Sequence, residues 1–204
     1  MTFAWHDSVR AFSEAAEWFV GKVALVDQRW DRPGLGEWDV RALVGHTSRS
    51  FLTVESYLAK PATEVAVASA ADYYGATRDI AAGSEVAQRG RDAGAALGAD
   101  PAAAVAEIAA RVVPLVEGQA GTELVTTIAG GMRLADYLPT RTFELVVHGS
   151  DLCRALDLPA DPPPPAATQA LHLVTELAVS RGVAGTLLLA ATGRPAPGPG
   201  FSVL

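Results

Sequence analysis

The stretch Arg141–Asp151, R-T-F-E-L-V-V-H-G-S-D, sets an arginine, a glutamate, a histidine and an aspartate into an otherwise apolar run. On a helix each residue turns by about 100°. With Glu144 at zero, His148 falls at about 40°, Asp151 at about −20° and Arg141 at about 60°. The four share a band about 80° wide, and Phe143, Leu145, Val146, Val147 and Leu152 fill the remainder. Such a stripe has two readings. In one it is a wetted face whose i,i+3 and i,i+4 pairs contribute roughly 0.2–0.5 kcal/mol each. In the other, Glu144 and His148 are two ligands of one divalent ion, because carboxylate and imidazole are both ordinary Zn²⁺ donors.

The rest of the chain supplies a third donor. His46, in G-E-W-D-V-R-A-L-V-G-H-T, lies about 110° from the centre of the apolar face of its helix, near the line of Ser50 and Tyr57. That position borders the core, as expected of a side chain lining a cleft between helices. Two histidines, one carboxylate and an open position are the usual requirement for a catalytic divalent metal. His6, His172 and Cys153 are the conceivable fourth ligands, and each has a plainer role. His6 sits near a helix start and His172 in the last helix. Cys153 is about 140° round the helix from His148 and reads as a small buried hydrophobe.

These residues must be held by helices, and the chain is patterned for them. Phe3, Val9, Phe12, Ala16, Phe19, Val23 and Val26 recur at helical spacings and predict one long helix over 3–30. Asp31–Glu37, D-R-P-G-L-G-E, reads as a loop. Asp39 is the predicted N-cap of a second helix over about 40–59. Residues 65–98 are alanine-rich and carry one or two helices. Asp100-Pro101 opens another helix, running to about Glu117. Thr122–Ile128 is a short β-like run before Gly130-Gly131. A further helix covers about 135–156, with Pro139 near its first turn. Asp161–Pro165, D-P-P-P-P, predicts a stiff linker, and 166–191 a last helical segment broken near Gly182 and Gly185. The sum is an all-α bundle of four main helices over 1–160. A proline-rich linker, a C-terminal helix and an irregular tail, 161–204, are expected to pack on the same domain.

Bulk properties narrow the function. The chain has 204 residues, enough for one domain with a real core. A net charge of −7 and the absence of any Lys/Arg run argue against nucleic acid as a partner. No apolar run approaches the ~18 residues that span a membrane. The N-terminus, M-T-F-A-W-H-D-S, lacks a basic region followed by an apolar one, so no signal peptide is expected. Cys153 is the single cysteine, which fits a reducing cytoplasm. Gly130-Gly131 is not a phosphate loop, and no G-x-S-x-G elbow or C-x-x-C occurs. The four tryptophans read as packing residues, with Trp38 the expected anchor of the His46 helix.

Two motifs resemble those of a known family. E-W-D-V-R-A-L-V-G-H at 37–46 is similar to G-W-S/T-x-R-D-L-x-A-H, and R-T-F-E-L-V-V-H-G-S-D-L at 141–152 is similar to R-x-x-E-x-x-x-H-x-x-D-L. The family that the chain resembles through both motifs is that of the mycothiol-dependent maleylpyruvate isomerases, a branch of the DinB-like metal-binding bundles. Glu37 stands where that family usually has glycine, and Ser150 where tryptophan is frequent.

The resemblance implies an up-down-down-up four-helix bundle. It implies a divalent ion, zinc with nickel, iron or manganese as alternatives, on His46, Glu144 and His148. Arg141 and Asp151 would then be flanking groups that support the ligands. It also implies a low-molecular-weight thiol, mycothiol, as cosubstrate. A metal-activated thiolate that adds to a conjugated double bond and leaves gives cis–trans isomerisation; one that stays gives S-conjugation. The substrate expected is a small electrophile bearing a carboxylate, with Arg78, Arg133 and Tyr57, or Arg141, as its contacts. The rival expectations are a non-catalytic DinB-like scaffold or small-molecule binder, and a metal-dependent hydrolase. A homodimer stays open. An enzyme requires an open metal position, whereas a structural site is closed by a fourth protein ligand.

Overall fold

A computed structural model describes residues 3–81, 85–194, 198 and 200–204. Among them the chain forms a DinB-like all-α bundle with two small antiparallel strand pairs. The bundle consists of α1 (Trp5–Ala24), α2 (Val40–Leu58), α5 (Pro101–Glu117) and α6 (Leu134–Ala155). Both α5 and α6 pack against α1 and α2. Two shorter helices, α3 (Ala70–Ala81) and α4 (Glu85–Ala96), lie between α2 and α5 in sequence. Phe12 and Phe19 of α1, Phe51 of α2, Val112 of α5 and Leu145 of α6 are fully buried in one continuous core.

Local chemistry explains where the helices start. Asp39 accepts a hydrogen bond from the Ala42 amide at 2.7 Å, and Asp100 accepts one from Ala103 at 3.0 Å. Each satisfies an amide that the first turn leaves without a partner, and Pro101 occupies the position where no amide is needed. Both starts agree with the sequence expectation.

Other boundaries differ from it. The first helix ends at Ala24, not near residue 30. Asp27 turns the chain with φ 53°, and Arg29 closes the end by donating to the carbonyls of Leu25, Val26 and Leu156. Within the expected loop, β1 (Pro33–Leu35) pairs with β2 (Trp38–Asp39). The β-like run is a hairpin, β3 (Leu124–Thr127) with β4 (Gly130–Arg133). A Cβ on Gly131 would meet the Glu64 carbonyl oxygen at 2.0 Å, so the double glycine serves a close backbone approach. Ala66 donates to the Gly131 carbonyl at 2.8 Å, tying the segment after α2 to the strand that leads into α6.

Beyond the bundle, α7 (Pro164–Ser180) packs on α1 and α6. The proline run is therefore only partly linker, since Pro164 and Pro165 already form the first turn of α7, where they cost no hydrogen bond. Asp161 is held by Lys22 at 2.6 Å and by the Trp18 indole at 3.2 Å. The last helix, α8 (Ala184–Ala191), has no buried residue. No helix among the described residues is long and apolar enough to cross a membrane.

Candidate metal centre

The packing of α2 against α6 brings His46, Glu144 and His148 together. One donor atom from each lies within 4.8 Å of the others, and all three side chains are half-buried. The two imidazoles stand edge to face, 5.0 Å between centroids. Glu144 and His148 are one helical turn apart on α6, with Oε2 3.2 Å from Nε2. Among the described residues these three form the one group able to hold a metal ion, and no fourth histidine, cysteine or acid joins it. His172 pairs instead with Glu176 at 3.0 Å, His6 with Asp7 at 3.3 Å, and Cys153 is buried as a free thiol.

Neighbouring side chains fix each member of the cluster. Asp151 Oδ2 lies 3.2 Å from Nδ1 of His148, on the opposite side of the ring from Glu144. Tyr74, from α3, donates its hydroxyl to Glu144 Oε1 at 2.5 Å. Trp38 lies across His46 with 4.5 Å between ring centroids and 33° between planes. The Trp38 indole donates in turn to the Ala87 carbonyl of α4 at 2.9 Å. That indole sits over Gly90, where a Cβ would fall 2.4 Å from the ring. A second close approach holds α4 on α2, because a Cβ on Gly45 would lie 2.2 Å from the Gly94 nitrogen.

The electrostatics separate the two histidines. Burial, with the neighbouring His148 cation, lowers His46 to about 4, so it stays neutral at ordinary pH. Burial would also lower His148, but its hydrogen bonds to Asp151 and Glu144 outweigh this and hold it at about 9. Burial would raise Glu144, yet the His148 hydrogen bond, Arg141 and Tyr74 keep its carboxyl down at about 2. Nδ1 of His46 is buried and has no hydrogen-bond partner. A neutral imidazole with an orphaned nitrogen, an ionised carboxylate and a second imidazole braced by a carboxylate form a donor set that fits a Zn²⁺-type ion.

The flanking residues behave differently from one another. Asp151 contacts the cluster member His148. Arg141 does not: its Nε donates to Thr140 Oγ1 at 2.9 Å, and its guanidinium lies 5.0 Å from the Tyr137 ring centroid and 5.6 Å from that of Tyr73. It is 8% exposed, and its terminal nitrogens make no hydrogen bond among the described residues. Arg78 is exposed on α3. Arg133 is exposed and lies 3.8 Å from Asp136. Tyr57 is half-buried, its ring 5.3 Å from that of Tyr137. None of these three belongs to the cluster. Sequence reasoning missed Tyr74, whose partner lies about 70 residues away, and no local pattern in A-A-D-Y-Y marks it.

A family model described as the mycothiol maleylpyruvate isomerase N-terminal domain matches residues 9–153. That span contains His46, Glu144, His148 and Asp151 together with most of α1 and α6. No curated protein and no solved structure matches the chain.

Proposed function

Because the chain belongs to the mycothiol maleylpyruvate isomerase N-terminal domain family, we propose that it is a metal-dependent, thiol-using enzyme of the isomerase or S-transferase type. Its substrate is a small electrophile bearing a carboxylate, and mycothiol is the thiol. The observation that carries this reading is the convergence of His46, Glu144 and His148 within 4.8 Å, with no fourth protein donor among the described residues. Three ligands and an open position are the arrangement of a catalytic site.

His46, Glu144 and His148 hold the ion. A divalent ion there supplies the positive charge that favours the thiolate form of a bound thiol at neutral pH. The protein's own part is orientation. Asp151 accepts from Nδ1 of His148 and leaves Nε2 as its ligand nitrogen. Tyr74 takes one carboxylate oxygen of Glu144 and leaves the other facing the cluster. Trp38 fixes the plane of the His46 ring. Arg141 receives the substrate carboxylate, since its terminal nitrogens make no hydrogen bond among the described residues. Arg78 and Arg133 are the weaker choices for that role, because both lie exposed outside the cluster.

The test is metal content and thiol chemistry on untagged protein, wild type beside His148→Ala. The reading requires about one equivalent of metal in the wild type, lost in the variant. It also requires metal-dependent consumption of mycothiol, or its catalytic use, with an unsaturated carboxylate such as maleate. Wild-type protein that neither carries nor takes up Zn²⁺ or Ni²⁺ returns the α6 stripe to a structural role. Metal without any thiol chemistry leaves the binding scaffold as the correct reading.

A further inference from the structure

The chain carries a net charge of −7, and its arginines seldom lack a partner. Among the described residues they lie beside an acid, as Arg10, Arg32, Arg111 and Arg154 do, or reach a backbone carbonyl, as Arg29, Arg41 and Arg181 do. Arg49, Arg78 and Arg141 do neither. Arg78 is exposed on α3, whereas Arg49 and Arg141 stand on the facing sides of α2 and α6.

Two contacts and the helical period place Arg49. With His46 at zero, Arg49 falls at about −60°, Thr53 at about −20° and Tyr57 at about 20°, in one band of α2. His46 meets His148 of α6, and Thr53 accepts from the Tyr137 hydroxyl of α6 at 2.9 Å. Arg49 lies between these contacts, three residues after His46 and four before Thr53. Arg141 lies between the matching positions of α6, four residues after Tyr137 and three before Glu144. The helices run in opposite directions here, so the two arginines are level with each other. Burial sets the direction of the shifts at His46 and Tyr73, and the charges of both Arg49 and Arg141 act on each of these groups. Tyr57 and Tyr73 complete the wall, with rings 5.3 and 5.6 Å from that of Tyr137 and hydroxyls that make no hydrogen bond among the described residues. Unlike Nδ1 of His46, neither these hydroxyls nor the two guanidinium ends are sealed from solvent.

We infer that Arg49 is a specificity-determining residue of the candidate site: across the cleft from Arg141, it holds a second anionic group of the substrate and so selects a doubly charged one. The inference rests on the reading of Arg141 as the holder of the first carboxylate. Guanidinium groups and phenols offer only donors toward such a ligand, and carboxylate oxygens accept from both. The balance of charge favours the same occupant. Two guanidinium groups beside a site for a divalent cation oppose its loading. A singly charged substrate offsets one of them, and a doubly charged one offsets both.

Calorimetric titration of the metal-free full chain with succinate and with butyrate, at matched ionic strength, tests this. It needs neither metal nor thiol, so its outcome is separate from that of the metal and thiol assays. Succinate should bind saturably and at least about tenfold more tightly than butyrate. Arg49→Gln should bring succinate down to the level of butyrate and leave butyrate unchanged. Arg49→Lys, which keeps the charge, should recover part of the preference. No saturable succinate binding, equal binding of the two acids by the wild type, or a preference kept in full by Arg49→Gln overturns the proposal. So does sulfate displacing succinate as well as succinate itself does, which would mean general attraction of dianions and no placed second group. Should Arg49→Gln lose its helical circular dichroism, Arg49→Met, which keeps an unbranched stem, takes its place.

Discussion

Asp151 and Glu144 hold His148 from opposite sides, each carboxylate oxygen 3.2 Å from a different ring nitrogen. Only one of these contacts survives if the ring binds an ion through Nε2. The Asp151 contact then fixes tautomer and ring plane. Asp151→Asn is therefore expected to keep the fold and weaken metal binding about 10–100-fold. Competition against a chromophoric chelator measures it, and unchanged affinity would show that Asp151 orients nothing.

Tyr74→Phe removes the hydroxyl that donates to Glu144 while keeping the ring against Phe143. The lost bond is charge-assisted, worth about 1.5–3 kcal/mol. The expected result is a metal affinity reduced by about tenfold or more, with the helical signal intact. A chelator titration of this variant that overlays the wild type assigns the contact to packing alone.

Metal uptake should fall as pH falls. In the metal-free protein His148 is held at about 9, so at neutral pH an incoming ion must displace its proton. Apparent affinity should drop about tenfold per pH unit below about 9, with one proton released per ion. Near pH 4 His46 begins to bind a proton too, and the dependence should steepen. Calorimetry in two buffers of different ionisation enthalpy counts the protons. A flat profile between about pH 6 and 8 contradicts the assignment of His148 as a ligand.

Stripping the ion should lower thermal stability. At a free metal concentration of ~100 Kd the ion contributes about 2.7 kcal/mol. For a chain of this size that corresponds to a melting shift of roughly 5–10 °C. His148→Ala should show no such shift on adding metal, and a shift as large as that of wild type would place the stabilising ion elsewhere.

Two glycines make a paired test of the helix contacts. Gly45→Ala drives a methyl to 2.2 Å from the Gly94 nitrogen, where backbone must move. A loss of about 2 kcal/mol or more is expected, with α4 displaced. A methyl group on Gly75, in α3, would meet nothing within 4 Å, and Gly75→Ala should stabilise by about 0.5–1 kcal/mol. Urea denaturation of both variants reads the contrast, and equal effects would remove the close approach as its cause.

What the sequence made legible was local. Asp39 and Asp100 act on amides three residues away, so α2 and α5 could be placed from their caps. Glu144, His148 and Asp151 share one helix, so their common face follows from the helical period. What escaped was tertiary. The end of α1 depends on Arg29 reaching the Leu156 carbonyl, far along the chain. Tyr74 reaches Glu144, and the Trp38 indole reaches α4, only once the helices have packed. The guanidinium of Arg141 lies among the rings of Tyr73 and Tyr137, which come from different helices, and that packing too has no local signal.

The cluster draws two of its members from adjacent turns of α6 and the third from α2, about 100 residues earlier. In the unfolded chain Glu144 and His148 can meet whenever that one turn forms, but His46 must cross a long open loop to join them. A tridentate grip thus does not exist before α2 docks on α6. Loading of an ion at these three residues would consequently be a late event in the life of the chain, and an ion present during synthesis would help to lock the docked pair but not to recruit its halves.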